Sequence, residues 1–598
     1  MDSGMNAVAI AVISLFVLLF IIFKLFAPSR NQADAGYQED RYALAALIHF
    51  TKQSLHELSR TRVDDWKYGE EEYRRILNQR AELRKALKGC ISGDLADKEY
   101  VKLYIADLLQ TSYGIDSTNI NKIIPFEEIH LLSIQDRFDI LLYLYKSSHG
   151  ENAISALIEK YELDRARTSI DSEEQVFEIT AEDIDHAFNL ENRPLLLQEK
   201  LDIVVQRIYQ QYKGFSVADE LRDQRIDGVS GGVSGVPDQD SRKMIKQDSE
   251  SLDYGIGLLR SSHTRVPKNY ESLWIFYKGK SIHLPFLSFG SQSELRRVCQ
   301  NIYKYNLPGQ LSESSGYKVN EMKDGSRVVV VRPPFSESWA FFVRKFDVKS
   351  AVLAQLIKDE NADLPIELLK YLMRGSRITA ITGAQGSGKT TLLMAMVKHI
   401  YASYTLRVQE MSFELHLRSL YSSRNILSFK ETDYISGQAG LDLQKKTDGA
   451  VNILGEVATD EVATWMIQMA QVASLFTIFT HHAKTFDDLI QSLRNSLLKS
   501  GMFRDERMAE RQVLSVINFN IHLRADMNGN RYIERITECV NDNSARGRNI
   551  VEYQNGRYVA SRSLSDRSIQ EMTRQMTEED AKSFRNFVNT YWGEQVGA

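Results

Sequence analysis

Residues 381–393 read ITGAQGSGKTTLL, and this stretch decides the fold of the region around it. Within it, Gly383 to Thr390 have the spacing G-x-x-x-x-G-K-T, the pattern of a phosphate-binding loop. The apolar run RITAIT (377–382) precedes the loop, and the apolar run TTLLMAMVKHIY follows it. The motif is specific when a strand enters the loop and a helix leaves it, so we predict a nucleotide-binding α/β domain. The alternative interpretation is a chance match in a glycine-rich turn.

The residue types of the loop indicate how it would bind ATP and Mg²⁺. Its glycines allow backbone N–H groups to close around the β-phosphate, and the following helix adds its positive N-terminal end. The Lys389 ammonium would reach the β- and γ-phosphates, and the Thr390 hydroxyl would ligate Mg²⁺. The residues expected to bind nucleotide are Gly383, Ala384, Gln385, Gly386, Ser387, Gly388, Lys389, Thr390 and Thr391.

Acidic residues follow two other predicted strands. In AVNILGE, Glu456 comes directly after a run that reads as a buried strand, where an acid would ligate Mg²⁺ through water or orient the attacking water. In VQEMSFEL, Glu410 and Glu414 follow another strand and would share one face of a helical turn. A solvated surface charge is the alternative for each. Placement at strand ends of a nucleotide-binding sheet favours the catalytic interpretation for Glu456 and leaves the two interpretations balanced for Glu410 and Glu414.

Two adjacent histidines end a further strand, LFTIFTHHAKT. Neighbouring side chains on an extended strand point to opposite faces, so at most one of His481 and His482 faces the nucleotide. We favour His482 as a sensor of the γ-phosphate. An ordinary core or surface histidine is the alternative.

Length and composition bound the rest of the chain. A chain of 598 residues is too long for a single hydrophobic core, so several domains are expected. A content of 43% apolar and 26% charged residues is ordinary for a folded protein. The net charge of −5 gives no overall basic field for nucleic acid, so a nucleic-acid partner is not expected. The three cysteines are far apart, which indicates neither a disulfide framework nor a zinc site.

The N-terminal segment Ala7–Phe23 has no charged residue. Its helix would be about 26 Å long, which predicts a membrane anchor within residues 1–30. A cleaved signal peptide is the alternative, but MDSGMN carries an acid and no base. Basic residues after the span place the remainder in the cytoplasm.

Pattern changes divide the remaining chain into four parts. Residues 41–190 read as helical, since YGEEEYRRILNQRAELRKALKG and RFDILLYLYKSSHG both end in a glycine stop. The glycine-rich stretch RIDGVSGGVSGVPDQD (225–240) reads either as a linker or as a turn within a folded domain. SLWIFYKGKSIHL predicts a hairpin within an α/β N-domain, 195–345. From 350 to 565, helices and strands alternate, and 566–598 reads as a helical tail.

The order of these pieces resembles the secretion and pilus-assembly traffic ATPases, and most of all the CpaF/TadA-type motors of tight-adherence (Flp) pili. DGSRVVVVRPPFSESWAFFVRKF (324–346) is similar to the segment that joins the family's N-domain to its motor. EMSFEL (410–415), LGEV (454–457) and THHA (480–483) are similar to its acidic box, Walker B segment and histidine box. The glycine-rich stretch falls at an early N-domain strand of the family. The resemblance covers roughly residues 195–560 and leaves out the anchor and the helical region.

The resemblance implies a RecA-like motor domain joined to the N-domain in a homo-hexameric ring. It also implies a polytopic inner-membrane platform protein as partner and pilins or secreted proteins as substrates. In the family, arginines near the motor entrance contact nucleotide, which points to Arg344 first, and also to Arg377 and Arg327. Met411 and Ala458 depart from the family's Asp and Arg, and AQVASL (470–475) replaces its Gly-His. There are two rival hypotheses. One is a scaffold that binds nucleotide with little turnover, and the other is a nucleic-acid translocase.

Overall fold

The computed structural model describes residues 41–60, 70–168, 175–237, 266–306, 308–345, 352–432, 435–444, 446–472, 474–526, 529–542 and 545–593. The expected anchor, Ala7–Phe23, lies outside these residues. Among the helices that are described, none is both long enough and apolar enough to span a bilayer. The chain divides into two compact units: Met1–Arg84, Val101–Leu132 and Pro194–Tyr212 form the first, and Lys85–Tyr100, Ser133–Arg193 and Lys213–Ala598 form the second.

Helices dominate the first part of the chain and recur between the strands of the second. In chain order they are α1 Leu44–Arg60, α2 Glu70–Gly89, α3 Leu95–Asp107, α4 Ile134–His149, α5 Ala153–Tyr161, α6 Ala181–Glu191, α7 Leu197–Tyr212, α8 Asp219–Asp223, α9 Gln292–Asn301, α10 Leu353–Leu356, α11 Asp363–Arg374, α12 Lys389–Val397, α13 Leu417–Leu420, α14 Gly437–Gln444, α15 Asp460–Val472, α16 Phe486–Lys499, α17 Glu506–Val516, α18 Asp566–Gln575 and α19 Glu578–Trp592.

Strands form a short hairpin and two larger sheets. They are β1 Ala166–Thr168, β2 Gln175–Phe177, β3 Gly228–Gly231, β4 Leu273–Tyr277, β5 Lys280–His283, β6 Tyr317–Glu321, β7 Arg327–Val331, β8 Ala340–Arg344, β9 Thr379–Gly383, β10 Leu406–Glu410, β11 Ile426–Lys430, β12 Val451–Leu454, β13 Phe476–His481, β14 Phe519–Ala525, β15 Arg531–Asp542, β16 Ala545–Gln554 and β17 Arg557–Ala560.

The described residues of the first unit are mostly helical, whereas the region 41–190 expected as helical also contains the hairpin β1–β2. Helices α1 and α7 pack together, and α1 buries Leu47 and Leu55, which lie two turns apart on one face. The boundaries differ from the expected division at 190 and 195. Helix α7 belongs to this unit, whereas α4 to α6 belong to the second. There, Ile179 N–H, just before α6, donates to His283 O at the end of β5 at 3.0 Å. Helical pattern alone carries no information about which sheet or helix covers the apolar face.

The N-domain contains an antiparallel six-stranded sheet in the order β5-β4-β3-β8-β7-β6. The predicted hairpin is confirmed as β4 and β5. The linker interpretation of the glycine-rich stretch is wrong in its described part, because β3 lies buried between β4 and β8. A methyl group at Gly228 would lie 2.4 Å from Val343 O, and one at Gly231 would lie 2.6 Å from the Phe341 ring. The glycines therefore allow neighbouring groups to approach closely.

The part of the chain expected as the motor domain contains a nine-stranded sheet in the order β11-β10-β12-β13-β9-β14-β15-β16-β17. Strands β9 to β14 pair in parallel, and β14 to β17 continue as an antiparallel extension. The expected α/β fold with a mostly parallel sheet is confirmed. Both faces of the parallel part are covered: Ile453 and Ile478 lie in one apolar core, and Leu454 and Phe479 lie in the other. Such burial explains why these strands read as continuous apolar runs.

The C-terminal helices α18 and α19 are part of the motor core. Their N-termini are capped by the Ser565 and Thr577 hydroxyls. Met572, Phe584 and Trp592 are buried in the same core as β9 and β12. Burying each of these large side chains contributes about 2 kcal/mol, so the segment expected as a tail contributes to the stability of the sheet.

Candidate functional site

The carboxyl ends of β9, β10, β12 and β13 meet at one edge of the sheet, because these strands are parallel. After β9, the loop 384–388 turns into α12, whose first residue is Lys389. Gly388 caps this helix with φ 94°, in the left-handed region that favours glycine. At Gly383, a methyl group would lie 2.4 Å from Leu523 O. The loop therefore depends on glycine at both positions.

Lys389 is held inside the loop. Its ammonium donates to Gly383 O at 3.0 Å and to Ala384 O at 2.9 Å, and lies 3.3 Å from His482 Nδ1. Burial lowers the pKa of Lys389 to about 8, with Arg344 acting in the same direction and Glu456 opposing them. A bound phosphate would stabilise the charged ammonium, so nucleotide binding and protonation of Lys389 favour each other.

Glu456 follows β12, as predicted, and lies beside His482. The distance from His482 Nε2 to Glu456 Oε1 is 3.2 Å, and both side chains are part exposed. Lys389, His482 and Glu456 thus form a continuous line of polar contacts across the ends of β9, β13 and β12. An acid at this point can orient a water molecule or a hydrated Mg²⁺ toward a phosphate on the loop.

The neighbouring histidine has a different environment. His481 lies 2.7 Å from Val457 O through Nδ1 and 3.0 Å from Ser492 Oγ through Nε2. Burial lowers the pKa of His481, so its ring is neutral. The expectation that only His482 of the pair faces the loop agrees with these contacts, which give His481 a structural role.

Glu410 is the last residue of β10 and is buried. Its Oε1 accepts from Glu414 N–H at 2.9 Å and from Leu415 N–H at 2.8 Å. Burial raises the pKa of Glu410 to about 7, although both N–H bonds favour the carboxylate. The expected helical turn is absent from the described residues 411–416. Glu410 and Glu414 are instead connected by the hydrogen bond from the Glu414 backbone N–H to the Glu410 carboxylate. We place Glu410 in a positioning role, since it holds the segment that carries Glu414.

Glu414 pairs with the N-domain. Arg327 Nη1 lies 2.9 Å from Glu414 Oε1, and the Ser412 hydroxyl donates to the same oxygen at 3.0 Å. Burial raises the pKa of Glu414, while Arg327 and Arg344 act against that rise and Glu456 adds to it. Glu414 therefore lies among the charged groups of the loop edge, but its carboxylate is bound to an arginine.

The two leading arginine candidates have different surroundings. Arg344 ends β8, and its charge acts to lower the pKa of both Lys389 and Glu414. Arg377 precedes β9 and donates to Gly375 O at 3.0 Å and to Glu571 Oε2 at 2.6 Å. Since five strand residues span about 16 Å, Arg377 lies away from the loop and stabilises α18.

Sequence reasoning missed three charged residues around the site, which are Glu321, Lys430 and Arg531. Glu321 of β6 accepts from Lys430 Nζ at 2.9 Å and from Phe413 N–H at 3.2 Å. Arg531, the first residue of β15, lies over Gly388, where an added methyl group would be 3.4 Å from Arg531 Cδ. Their strands follow β9 or precede it by many residues, so no local pattern connects them with the loop.

The residues present fit a nucleotide with Mg²⁺. The loop offers Lys389, the N-terminus of α12 and the hydroxyls of Thr390 and Thr391. The Ser387 hydroxyl is buried and has no protein partner among the described residues, as expected of a loop that closes on a ligand. Thr390 would hold Mg²⁺ directly and Glu456 through water.

No protein-family model matches this sequence, and no curated protein matches it. Among solved structures, similar chains include the VirB11 ATPase of the Brucella suis type IV secretion system (17% identity, 45% of this chain and 86% of that chain, TM-score 0.27). They also include the Legionella pneumophila ATPase DotB (16% identity, 54% and 82% covered, TM-score 0.35) and the pilus retraction motor PilT with bound ADP (14% identity, 54% and 86% covered, TM-score 0.34). Values this low describe a distant likeness only, so the function is argued from the residues of the site.

Proposed function

We propose that this chain is a magnesium-dependent ATPase that works as a motor in pilus assembly or protein secretion. The observation that supports it best is the line of contacts from Lys389 through His482 to Glu456 at the carboxyl edge of a parallel sheet. Mg²⁺ supplies charge neutralisation on the β- and γ-phosphates when bound. The loop amides orient the triphosphate, Lys389 binds its oxygens, and Glu456 holds the attacking water in line with the γ-phosphate.

Hydrolysis is proposed to act on the N-domain through the residues that contact both domains. Arg327 binds Glu414, and Arg344 lies within electrostatic reach of Lys389. A γ-phosphate on the loop would attract both arginines, and its release would return Arg327 to Glu414. The resulting hinge motion is the step that a motor converts into work.

The test is Mg²⁺-dependent ATP hydrolysis by the full chain in detergent, beside Lys389→Ala. Lys398→Ala is the matched control, because Lys398 lies exposed after the other end of the same helix α12. Turnover that is lost in Lys389→Ala and kept in Lys398→Ala supports the proposal. ATP binding without turnover would favour a nucleotide-binding scaffold, and turnover unchanged in Lys389→Ala would overturn the assignment of the loop.

The second part of the proposal concerns the oligomeric state, the cellular location and the partner of this chain. We propose a homo-hexamer of the CpaF/TadA-type class at the cytoplasmic face of a bacterial membrane, tethered by Ala7–Phe23 and acting on a polytopic platform protein. The motif order described under Sequence analysis supports this setting. Mass photometry with an ATP analogue tests the ring, and a protein that stays monomeric at micromolar concentration would contradict it. Fractionation of a variant lacking residues 1–30 tests the tether.

A further inference from the structure

Arg531, at the start of β15, lies where the β4–β5 turn of the N-domain comes close to the phosphate loop. A methyl group at Gly388 would lie 3.4 Å from Arg531 Cδ, so the arginine stem passes over the first turn of α12. Its guanidinium continues toward the N-domain, where a methyl group at Gly279 would lie 3.1 Å from Arg531 Nη2. Asp227 Oδ2 is 3.9 Å from the same Nη2 atom. Arg531 is thus aimed along the mouth of the loop.

The strand order shows which end of a nucleotide would reach this arginine. On one side of β9 lie β13 and β12, followed by His482 and Glu456. On the other side lie β14 and β15, and β15 begins with Arg531. A triphosphate with its γ-phosphate toward Glu456 and its β-phosphate on the loop extends its ribose and base toward β14 and β15.

From this geometry we propose that Arg531 binds the nucleoside end of the nucleotide. The planar guanidinium stacks on the base and donates to the ribose, an arrangement that an ammonium cannot reproduce. The inference rests on the proposed function, because it takes the phosphate loop as the nucleotide site. It adds a residue that selects a nucleoside triphosphate over a bare polyphosphate.

Residues of the N-domain come close to the Arg531 side chain. The β4–β5 turn comes close at Gly279, and Gly279 N–H donates to Asp227 Oδ2 at 3.1 Å, which holds that carboxylate on the N-domain side. A methyl group at Gly529, two residues before β15, would lie 2.6 Å from Lys278 O, so Gly529 is in contact with the β4–β5 turn. The Arg531 side chain is 36% exposed, which leaves its guanidinium accessible.

The experiment compares two ligands that share phosphates and differ in the nucleoside. The affinities of Mg²⁺-ATP and Mg²⁺-tripolyphosphate are measured by calorimetry for the full chain, Arg531→Ala and Arg531→Lys. Arg524→Ala is the matched control, since Arg524 lies on the same hairpin, is 62% exposed and pairs with Glu534. Circular dichroism checks that each variant is folded.

We expect Arg531→Ala to weaken ATP binding about tenfold, as loss of one stacking contact does, and to change tripolyphosphate binding less than twofold. Arg531→Lys is expected to behave like Arg531→Ala, and Arg524→Ala like the parent chain. Equal losses for both ligands would assign Arg531 to the phosphates and overturn the proposal, and so would no loss for either. Unchanged ATP binding by Lys389→Ala would instead contradict the proposed function, so the two failures are distinguishable.

Discussion

Arg327 of strand β7 binds Glu414 of the segment after β10, with 2.9 Å between Nη1 and Oε1. The two residues are 87 positions apart in the chain and belong to the N-domain and the motor domain. A carboxylate beside the carboxyl end of β10 is thereby tied to strand β7 of the six-stranded sheet. The pair gives a direct physical connection between the chemistry of the loop and the position of the N-domain.

We expect a double-mutant cycle of Arg327→Ala and Glu414→Ala to give a coupling free energy of about 1 kcal/mol. The value is modest because both side chains are partly exposed. Urea unfolding of the parent chain, both single variants and the double variant measures it. Strict additivity of the single effects would mean that the ion pair does not couple the two domains.

Glu456→Gln is expected to slow ATP hydrolysis by at least about 100-fold and to leave Mg²⁺-ATP affinity nearly unchanged. The amide keeps the shape of the side chain but cannot orient water as a carboxylate does. Steady-state turnover and calorimetric binding separate the two effects. Glu461→Gln, an exposed position on α15, serves as the control. Turnover within a fewfold of the parent would contradict the catalytic role of Glu456.

The adjacent histidines should respond differently to alanine. His482→Ala removes the contact between Lys389 and Glu456 and is expected to lower turnover about tenfold or more with little change in stability. His481→Ala leaves Val457 O and Ser492 Oγ without their partner and is expected to cost about 1–3 kcal/mol of unfolding free energy. Paired assays of turnover and urea unfolding test this, and a reversal of the two effects would contradict the assignment.

Stability should fall as pH rises through the titration of Glu410. Its pKa is about 7 in the folded chain against an ordinary 4.5, so the folded state binds more protons than the unfolded state between those values. Unfolding free energy then decreases from pH 5 to pH 8, by at most about 3 kcal/mol from this group. Glu410→Gln keeps an oxygen acceptor for the two N–H groups and removes the charge.

The measurement is urea unfolding of both proteins at pH 5 and pH 8. We expect Glu410→Gln to flatten the pH dependence and to gain stability over the parent chain mainly at pH 8. Glu313→Gln, whose parent side chain is 80% exposed, should change neither value. An unchanged pH slope in Glu410→Gln would show that Glu410 is ionised in the folded chain across this range.

Local pattern was sufficient for the core of the motor domain. Glycine spacing predicted the loop 383–390, and apolar runs predicted β9, β10, β12 and β13 to within about two residues. It was also sufficient for the strand-end positions of Glu410, Glu456 and His482. These features depend on neighbours in sequence, because backbone conformation and burial of a short strand follow from its own residues.

Only the tertiary structure determines which charged side chains contact one another around the candidate site. Arg377 lies away from the loop and Arg531 lies over it, although one precedes β9 and the other begins β15 of the same sheet. Glu414 is bound by Arg327, and α19 buries Trp592 in the motor core. Each contact joins residues that are far apart in the chain. It forms only when the strands take their order in the sheet, and no single segment of the sequence determines that order.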